Sequence, residues 1–462
     1  MSRINFAISV LALHLGLIST QAQITPGPDH GTAVVSGVVT LKGKPSCGVI
    51  VQLIDQREGS YRFRYPFAQT DENGRFRIYS VAARKYWITA RAPGHFSPGN
   101  DGKGTSGQTL EVAEGAKIEN IALEIKRGGV ITGRITDSRG APMADEEVNV
   151  HRLDKNDDLY AGVYETRTDD RGVYRFYGLP EGRYLVGIGY EHDHRYLKLP
   201  PRVFYPNVAS KSEAKVIEVA LESNTNDIDI TLPDPKHLSI KRENAGQFPF
   251  RGSIPVRIVT EDGVGLPYAK VYLTRSDRDG RSILTSSGSA ICGADENGNF
   301  EIPDFGPIDG PDFYRVIAIY AKGYAPKHAV YQRVVDAVTI NMVKGAVITG
   351  RVRNAKGNPV IGADLHVELR READGKPILG KIQFSRATDD SGVYRFWGLT
   401  PGNYVVYTTN RSNWACQFAE MDSLWIYYPL STREGAAEVT VRSGAVTSGI
   451  DIRYSEYRDR IK

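Results

Sequence analysis

Residues 168–184 read T-D-D-R-G-V-Y-R-F-Y-G-L-P-E-G-R-Y, and residues 388–404 read T-D-D-S-G-V-Y-R-F-W-G-L-T-P-G-N-Y. Asp169 and Asp170 favour a tight turn because a short carboxylate accepts hydrogen bonds from nearby backbone N–H groups. Gly172 supplies the positive φ that closes such a turn. The stretch therefore predicts a turn at its beginning.

A strand follows this turn. Tyr174 and Phe176 alternate with less apolar neighbours, which is the period-2 pattern of a strand with one buried face. Residues 178–182, G-L-P-E-G, predict a second turn, and the next strand opens at Tyr184. One stretch thus specifies turn, strand, turn and strand, a unit of antiparallel sheet.

Two fainter copies of the first half occur elsewhere. Residues 70–78 read T-D-E-N-G-R-F-R-I, and residues 294–302 read A-D-E-N-G-N-F-E-I. Four copies, each separated by about one small domain, indicate an internal repeat. The 47 glycines and 25 tyrosines suit short strands and turns better than helices. The predicted fold class is all-β: four tandem antiparallel β-sandwich modules with little helix.

The repeat and its flanking sequence predict the order of segments along the chain. They are a signal peptide at 1–22, a flexible leader at 23–33, and modules 1 to 4 at 34–126, 127–234, 248–344 and 345–455. Module 3 is the divergent copy. Because residues 126–129, K-R-G-G, are the whole connection between modules 1 and 2, we expect a semi-rigid rod.

The first residues have the pattern of a secretory signal peptide. Arg3 gives a positive start, residues 6–18 form an apolar run too short to cross a bilayer, and residues 20–22 resemble a cleavage site. The alternative is an apolar first strand. No later apolar run approaches the ~20 residues of a transmembrane helix. We expect an exported chain, periplasmic or extracellular, without a transmembrane segment.

Charge and cysteine content narrow the classes of partner. The net charge of +4 on 462 residues argues neither for nucleic acid nor for a membrane surface, and we predict no nucleic-acid partner. The three cysteines, Cys47, Cys292 and Cys416, fall in three different modules, so no disulfide within a module is predicted. We expect them to be small buried apolar residues.

A strand with Thr-Gly-Arg is followed by a turn with Gly and Pro, a second strand, the motif Thr-Asp-x-x-Gly-x-(Tyr/Phe)-x-Phe and the motif Gly-Leu-x-x-Gly-x-Tyr. This order resembles the carboxypeptidase regulatory-like domain. Modules 2 and 4 match this pattern closely, and modules 1 and 3 match it loosely. The resemblance implies transthyretin-like or Ig-like sandwiches grouped with carbohydrate-binding folds, of the type found in exported bacterial proteins. It also implies a module without catalytic residues, which accompanies an enzyme in metallocarboxypeptidases.

Motifs for catalysis are absent from the sequence. None of the nine histidines begins an H-E-x-x-H or H-x-x-E run, the ligand pattern of a zinc peptidase. His192 and His194 form either a weak metal pair or a loop pair without function. No nucleophile elbow and no phosphate-binding glycine loop occurs. We therefore predict that the protein is not an enzyme and that it has no catalytic residues, no metal site and no cofactor.

The repeated acidic turns permit two interpretations. Calcium would need carboxylates at alternating positions and a distant bidentate glutamate. Turn geometry needs only the leading acid and the glycine that are present, and it is the interpretation we favour.

The strongest candidate for a ligand site is the segment 410–429. Its aromatic rings can pack against the apolar face of a sugar while nearby amides bond the hydroxyl groups. The alternative is that the rings pack the edge of their own module. The candidate residues are Asn413, Trp414, Gln417, Trp425, Tyr427 and Tyr428.

Three functional hypotheses follow. The first is a non-enzymatic exported binding protein that takes a polysaccharide or an envelope protein as its partner. The second is a structural spacer or assembly protein of the cell envelope without a small ligand. The third treats the modules as accessories of a peptidase or outer-membrane receptor system. The carbohydrate part of the first hypothesis rests on fold analogy.

Overall fold

The repeat produces β-sheet throughout the part of the chain that the computed structural model describes. The described residues are 31–56, 65–98, 107–154, 159–188, 203–232, 252–267, 269–276, 290–295, 297–304, 314–321, 323–331, 338–372, 383–412, 425–429 and 435–454. Within them, the only helical element is the 3-10 turn Lys211–Glu213. The predicted all-β fold class is confirmed. The predicted signal peptide at 1–22 lies outside these residues.

Module 1 consists of two sheets built from nine strands. One sheet runs β2-β1-β9-β7, with β5 also paired to β1, and the other runs β4-β3-β6-β8. Phe76 and Ile78 on β5 are buried between exposed neighbours, so the sheets pack face to face around one core. The strands are β1 (Ala33–Leu41), β2 (Lys44–Pro45), β3 (Ile50–Asp55), β4 (Phe67–Gln69), β5 (Arg75–Val81), β6 (Arg84–Arg91), β7 (His95–Phe96), β8 (Gln108–Val112) and β9 (Lys117–Arg127).

Module 2 repeats this arrangement. Its first sheet runs β13-β10-β17, with β18 also on β10, and its second runs β12-β11-β14-β15, with β16 also on β14. Tyr174 and Phe176 face the core, as their alternation predicts. The strands are β10 (Gly129–Asp137), β11 (Glu147–Leu153), β12 (Leu159–Arg167), β13 (Val173–Leu179), β14 (Gly182–Ile188), β15 (Val203–Phe204), β16 (Ile217–Val219), β17 (Asn224–Thr225) and β18 (Ile230–Leu232).

Module 3 keeps the two sheets with fewer strands in its described part. The sheets run β22-β19-β25 and β21-β20-β23-β24, and Val256, Ile258 and Phe300 contribute to the core between them. The strands are β19 (Gly252–Val259), β20 (Lys270–Ser276), β21 (Ala290–Gly293), β22 (Asn299–Asp304), β23 (Tyr314–Tyr320), β24 (Lys327–Tyr331) and β25 (Val338–Asn341).

Module 4 has the same strand order as module 2. One sheet runs β29-β26-β33, with β34 also on β26, and the other runs β28-β27-β30-β31, with β32 also on β30. The strands are β26 (Ala346–Arg353), β27 (Ala363–Glu372), β28 (Gln383–Ala387), β29 (Val393–Leu399), β30 (Gly402–Ser412), β31 (Trp425–Tyr427), β32 (Val439–Val441), β33 (Val446–Thr447) and β34 (Ile452–Arg453).

Each module closes with one kind of pairing that the sequence did not predict. The first strand pairs in parallel with the last part of the module, β1 with β9, β10 with β17 and β18, β19 with β25, and β26 with β33 and β34. The other named strand pairs are antiparallel. The chain therefore enters and leaves a module on neighbouring strands of one sheet.

The first aspartate of every repeat organises its own turn. Its Oδ1 accepts hydrogen bonds of 2.8–3.0 Å from the backbone N–H groups two and four residues later in all four copies, at Asp71, Asp169, Asp295 and Asp389. Gly172 adopts φ 73°, and a Cβ there would lie 2.3 Å from the carbonyl oxygen of Ile135. Turn geometry thus accounts for the leading acid and the glycine.

A buried tyrosine on the repeat strand ties down the end of modules 2 and 4. The Tyr174 hydroxyl donates to the carbonyl oxygen of Ile228 at 2.5 Å, and the Tyr394 hydroxyl donates to that of Ile450. Both tyrosines are almost fully buried, each with 1% of its surface exposed. The hydroxyl therefore satisfies a buried carbonyl just before the last strand.

Two joints between modules are built alike. The N–H of Gly128, between β9 and β10, donates to the carbonyl oxygen of Gly94 at 3.1 Å, and Gly345 donates to Gly323 at 2.9 Å. A Cβ on Gly128 would lie 2.2 Å from the carbonyl carbon of Gly178, so the joint requires glycine. Modules 1 and 2 therefore meet as modules 3 and 4 do.

Modules 2 and 4 contact each other through two reciprocal ion pairs. Arg175 Nε and Nη2 lie 2.5 and 2.9 Å from the carboxylate oxygens of Asp390. Arg395 Nε and Nη2 lie 2.5 and 2.7 Å from those of Asp170. These bidentate hydrogen bonds raise the pKa of both arginines. Each module thus supplies one arginine and one acid to the other.

The expected rod is wrong. Besides the contact between modules 2 and 4, a Cβ on Gly362 of module 4 would lie 2.9 Å from Pro93 of module 1. That prediction assumed that the short connections would hold the modules one after another in a row. The acidic and basic side chains that the turns do not use instead bind modules that are not neighbours in sequence. The predicted module limits themselves stay predictions.

Cys47 departs from the expected burial. It is exposed in the turn between β2 and β3, where the backbone has left the sheet, and its Sγ lies 3.8 Å from the carbonyl oxygen of Thr70. The side chains of Cys292 and Cys416 lie outside the described part of the chain.

We predict that the double variant Arg175→Ala/Arg395→Ala separates modules 2 and 4. Removing both guanidinium groups leaves Asp170 and Asp390 without their bidentate donors, at a cost below the about 3–5 kcal/mol of fully buried pairs because the side chains are partly exposed. Small-angle scattering should show a larger radius of gyration. Arg171→Ala is the control, because Arg171 pairs with Asp169 of its own turn at an exposed site. Equal radii for the two variants would contradict the prediction.

We also predict an alkaline loss of stability. Burial raises the pKa of Tyr174 and Tyr394, whereas an unfolded chain releases these protons near pH 10. Below about pH 10 both states hold the protons; above it only the folded state does, so stability falls as pH rises. Calorimetry from neutral to alkaline pH should show a shallower decline for Tyr174→Phe/Tyr394→Phe than for the control Tyr79→Phe, whose ring is 48% exposed. An equal decline of stability with pH in the two variants would contradict the prediction.

Candidate functional site

The structure describes three of the six predicted site residues. Asn413, Trp414 and Gln417 lie outside the described residues. Trp425 and Tyr427 lie on β31. Tyr428 follows the strand and packs against the core of module 4, as the alternative interpretation of the segment predicts.

Trp425 and Tyr427 lie on the outer face of the sheet β28-β27-β30-β31. In the register of β30 and β31, Tyr427 stands opposite Tyr407, and Trp425 stands opposite Thr409. The Tyr407 ring lies 5.1 Å from Tyr427 and 5.1 Å from Trp425, with an edge-on angle of 78° to the indole. Such edge-to-face geometry is favourable for aromatic pairs.

The rings differ sharply in exposure. Trp425 is 40% exposed, whereas Tyr407 and Tyr427 are 4% and 8% exposed. Val405 and Tyr427 form a small cluster with Tyr407, separate from the main core. The indole is therefore an exposed ring held in place by buried ones.

Polar groups from β27 complete the site. The His366 ring stacks on Tyr407 at 5.2 Å and 16°, and it meets Trp425 edge-on at 5.5 Å. His366 Nε2 lies 3.0 Å from Asp364 Oδ2. We name Asp364, His366, Tyr407, Trp425 and Tyr427 the Trp425 patch. Two residues further along β27, Glu368 pairs with Arg370 at 3.4 Å.

The Trp425 patch has the two components that recognition of a polar ligand with an apolar face needs. The indole offers a flat apolar surface, and the Asp364–His366 pair places hydrogen-bonding groups beside it. Because buried rings hold the indole, little side-chain freedom is left to lose on binding.

Module 2 differs at the equivalent positions. Asn149, Gly187 and Phe204 occupy the register sites of His366, Tyr407 and Tyr427. Asn149 is 1% exposed and neither atom of its amide has a hydrogen-bond partner among the described residues. The exposed ring is therefore a feature of module 4 that module 2 lacks in its described part.

His366, Tyr407 and Asp364 were not predicted as site residues. His366 and Tyr407 lie about forty residues apart and meet only through the pairing of β27 with β30. A comparison of outward-facing positions between modules 2 and 4 contained the signal, because His and Tyr in module 4 replace Asn and Gly in module 2.

Metal ligands do not cluster in the described part of the chain. Across those residues, no group of three or more His, Cys, Asp or Glu side chains is placed to hold an ion. His192 and His194 lie outside them. The acidic turns use the first carboxylate for backbone hydrogen bonds, as described above.

Module 2 contains the order of turns and strands on which the family resemblance rests, with Thr132, Gly133 and Arg134 on β10 and Tyr184 on β14. Residues 130–233 match the carboxypeptidase regulatory-like domain. The match covers nearly all of β10 to β18. Module 4 shares the strand order of the matched region.

The solved structures that this chain matches are distant in both sequence and superposition. The Bacillus anthracis TIE protein is 12% identical, with a TM-score of 0.17, over 93% of this chain and 76% of that one. The major pilin subunit BcpA of Bacillus cereus is 12% identical, with a TM-score of 0.16, over 71% and 99%. The shaft pilin SpaA of Lactobacillus rhamnosus GG is 13% identical, with a TM-score of 0.19, over 46% and 100%.

No curated protein matches this sequence. No helix in the described ranges has the length and apolar character to cross a bilayer.

We predict that the exposed and buried rings of the Trp425 patch differ in their effect on stability. Tyr427→Ala should cost about 2–4 kcal/mol because it leaves a cavity beside Tyr407. Trp425→Ala should cost about 1 kcal/mol or less because much of the indole is already in water. Calorimetry of the two variants checks this. If Trp425→Ala costs as much as Tyr427→Ala, the indole is a packing residue.

Proposed function

We propose that this chain is a non-enzymatic exported binding protein and that its module 4 takes carbohydrate against the Trp425 patch. The observation that carries the proposal is the exposed indole of Trp425, supported edge-on by the buried ring of Tyr407 and the partly buried ring of His366. The exposed part of an indole whose other contacts are packed aromatic rings gives a ligand a flat apolar surface in a fixed position.

The chemistry of the patch favours a sugar over a purely apolar ligand. A pyranose presents C–H groups on one face and hydroxyl groups around its rim. The indole of Trp425 packs against the C–H face, and the carboxylate of Asp364 accepts from the hydroxyl groups while His366 lies beside it. One such site gives weak binding, and a polysaccharide gains affinity by repeated engagement. The partner is therefore a polysaccharide rather than a free monosaccharide.

The sequence supports the absence of catalysis and the export of the chain. The carboxypeptidase regulatory-like resemblance implies modules without catalytic residues, and the sequence contains no nucleophile elbow or zinc-peptidase motif. Residues 1–22 have the pattern of a cleaved secretory leader. The proposal accordingly locates the protein in the periplasm or outside the cell.

A structural spacer of the envelope is the second candidate. The reciprocal ion pairs and the glycine joints between modules favour it, because a spacer must hold a fixed arrangement. This role needs no small ligand. An accessory role beside a peptidase or receptor would use the same surfaces for an envelope protein.

The test is binding of the mature chain to a glycan panel and to insoluble polysaccharides. We expect at least one polysaccharide to bind, and Trp425→Ala to weaken it about tenfold, the loss of roughly 1.4 kcal/mol. The matched control is Trp87→Ala, which removes a tryptophan from β6 on the corresponding sheet of module 1.

The contrary outcomes separate the candidates. If no glycan binds, the spacer role stands and the carbohydrate proposal fails. If glycan binding survives Trp425→Ala, the chain binds carbohydrate elsewhere.

Cell fractionation with N-terminal sequencing tests export, and a cytoplasmic chain that retains residues 1–22 contradicts it.

A further inference from the structure

Asp364 brings a negative charge to the Trp425 patch. It lies on β27 between Ala363 and Leu365, which pack in the core, so its own side chain alternates to the outer face of the sheet. Its Oδ2 lies 3.0 Å from His366 Nε2, and the His366 ring meets the Trp425 indole edge-on at 5.5 Å. The carboxylate is therefore one side chain away from the exposed indole.

The Asp364 carboxylate retains an oxygen that can bind a ligand. Among the described residues, His366 is the one side chain that bonds this carboxylate, and it uses Oδ2. The Asp364 side chain keeps 15% of its surface exposed. Because an ionised carboxylate has two oxygens that accept hydrogen bonds, Oδ1 can accept from a ligand while Oδ2 stays with His366.

Module 2 pairs the equivalent acid with an arginine. Glu147 on β11 occupies the place of Asp364, and Arg167 stands opposite it on β12. Arg167 Nη2 lies 3.1 Å from Glu147 Oε2. Opposite charges that face each other on neighbouring strands form a favourable cross-strand pair. In module 2 the acid is therefore compensated within its own sheet.

Module 4 has an alanine in the place of that arginine. Ala387 stands opposite the acid on β28 and is exposed. Two arginines of the same sheet are engaged elsewhere, because Arg370 lies 3.4 Å from Glu368 and Arg386 lies 4.4 Å from the centre of the Trp397 ring. Among the described residues, no arginine or lysine pairs with the acid of module 4.

An uncompensated carboxylate beside an exposed indole favours a cationic ligand. A cation over the face of an indole is attracted to its π system. An ammonium group also donates a charge-assisted hydrogen bond to a carboxylate, which is about twice as strong as a bond between neutral groups. The Trp425 patch offers both interactions, whereas module 2 has neither the exposed ring nor the unpaired charge in its described part.

We propose that the carbohydrate bound at the Trp425 patch is a polysaccharide that carries free amino groups. This inference rests on the carbohydrate role proposed above for module 4. The sugar ring packs its C–H face on the indole of Trp425, and its ammonium group donates to Asp364 Oδ1. A lysine side chain has the ammonium group but no flat ring of C–H groups, so the patch fits an amino sugar better than a protein.

Binding of three chito-oligosaccharides of equal length to the full chain tests the proposal. The first is N-acetylated, the second has free amines, and the third is N-trimethylated and stays positively charged at every pH. We expect the two cationic forms to bind about tenfold more tightly than the acetylated form, because they add a cation–π contact and an exposed charge pair. The preference should shrink with added salt.

Two variants remove the unpaired charge in different ways. Asp364→Asn removes the carboxylate, and Ala387→Arg restores the cross-strand pair of module 2. Each should bring the affinities for the cationic and acetylated forms together. Two matched controls should leave the preference unchanged. Glu147→Gln removes the equivalent acid of module 2, and Ser391→Arg adds an arginine at an exposed turn position where module 2 has Arg171.

The contrary outcomes separate this inference from the proposed function. Equal binding of all three oligosaccharides overturns the amino-sugar proposal and leaves the carbohydrate role standing. A preference that survives Asp364→Asn or Ala387→Arg overturns it as well, because the charge is then recognised elsewhere. If no oligosaccharide of either kind binds, the carbohydrate role fails and this inference fails with it. Tighter binding of a lysine oligomer than of the amino sugar overturns it in favour of a protein partner.

Discussion

The arginine–aspartate exchange between modules 2 and 4 is the interaction on which the arrangement of the chain depends. Taking a guanidinium and a carboxylate partly out of water is unfavourable unless the two groups pair with good geometry. Here both pairs are bidentate, and each module contributes one donor and one acceptor. The glycine joints fix module 1 to module 2 and module 3 to module 4. The chain is therefore a two-module unit that occurs twice and is closed by its own reciprocal contact.

The repeated turn divides its two acids between two tasks. The first aspartate bonds two backbone N–H groups in all four modules, so the fold needs it everywhere. In modules 2 and 4 the second acid, Asp170 or Asp390, pairs with an arginine of the other module, and in the sequence its identity varies as Glu72, Asp170, Glu296 and Asp390. A position that folding does not use can serve contact between modules. Modules 2 and 4 both have two aspartates in the turn and an arginine on the following strand. This shared combination is the sequence pattern that indicates the contact between modules.

Local sequence patterns predicted the turns and strands well. They did not predict the contacts between residues that are distant in the sequence. The turn at Asp169 and Gly172 and the buried alternation of Tyr174 and Phe176 depend on neighbours within a few residues, and the structure has them as predicted. The parallel pairing of first and last strands depends on how a module closes, which no local pattern encodes. At the site, composition indicated Trp425, but its support by His366 depends on strand register. Tyr428 was grouped with it by proximity in sequence, although its ring faces the core.

The two surfaces of module 4 lie on different sheets of the sandwich. Arg395 belongs to the sheet that contains β29 and β26, whereas Trp425 belongs to the sheet that contains β30 and β31. The outer faces of two packed sheets point in opposite directions, so the contact with module 2 does not cover the Trp425 patch. Contact between modules and binding of a ligand therefore do not compete for the same surface. This separation lets a fixed arrangement of modules coexist with the carbohydrate binding that we propose for module 4.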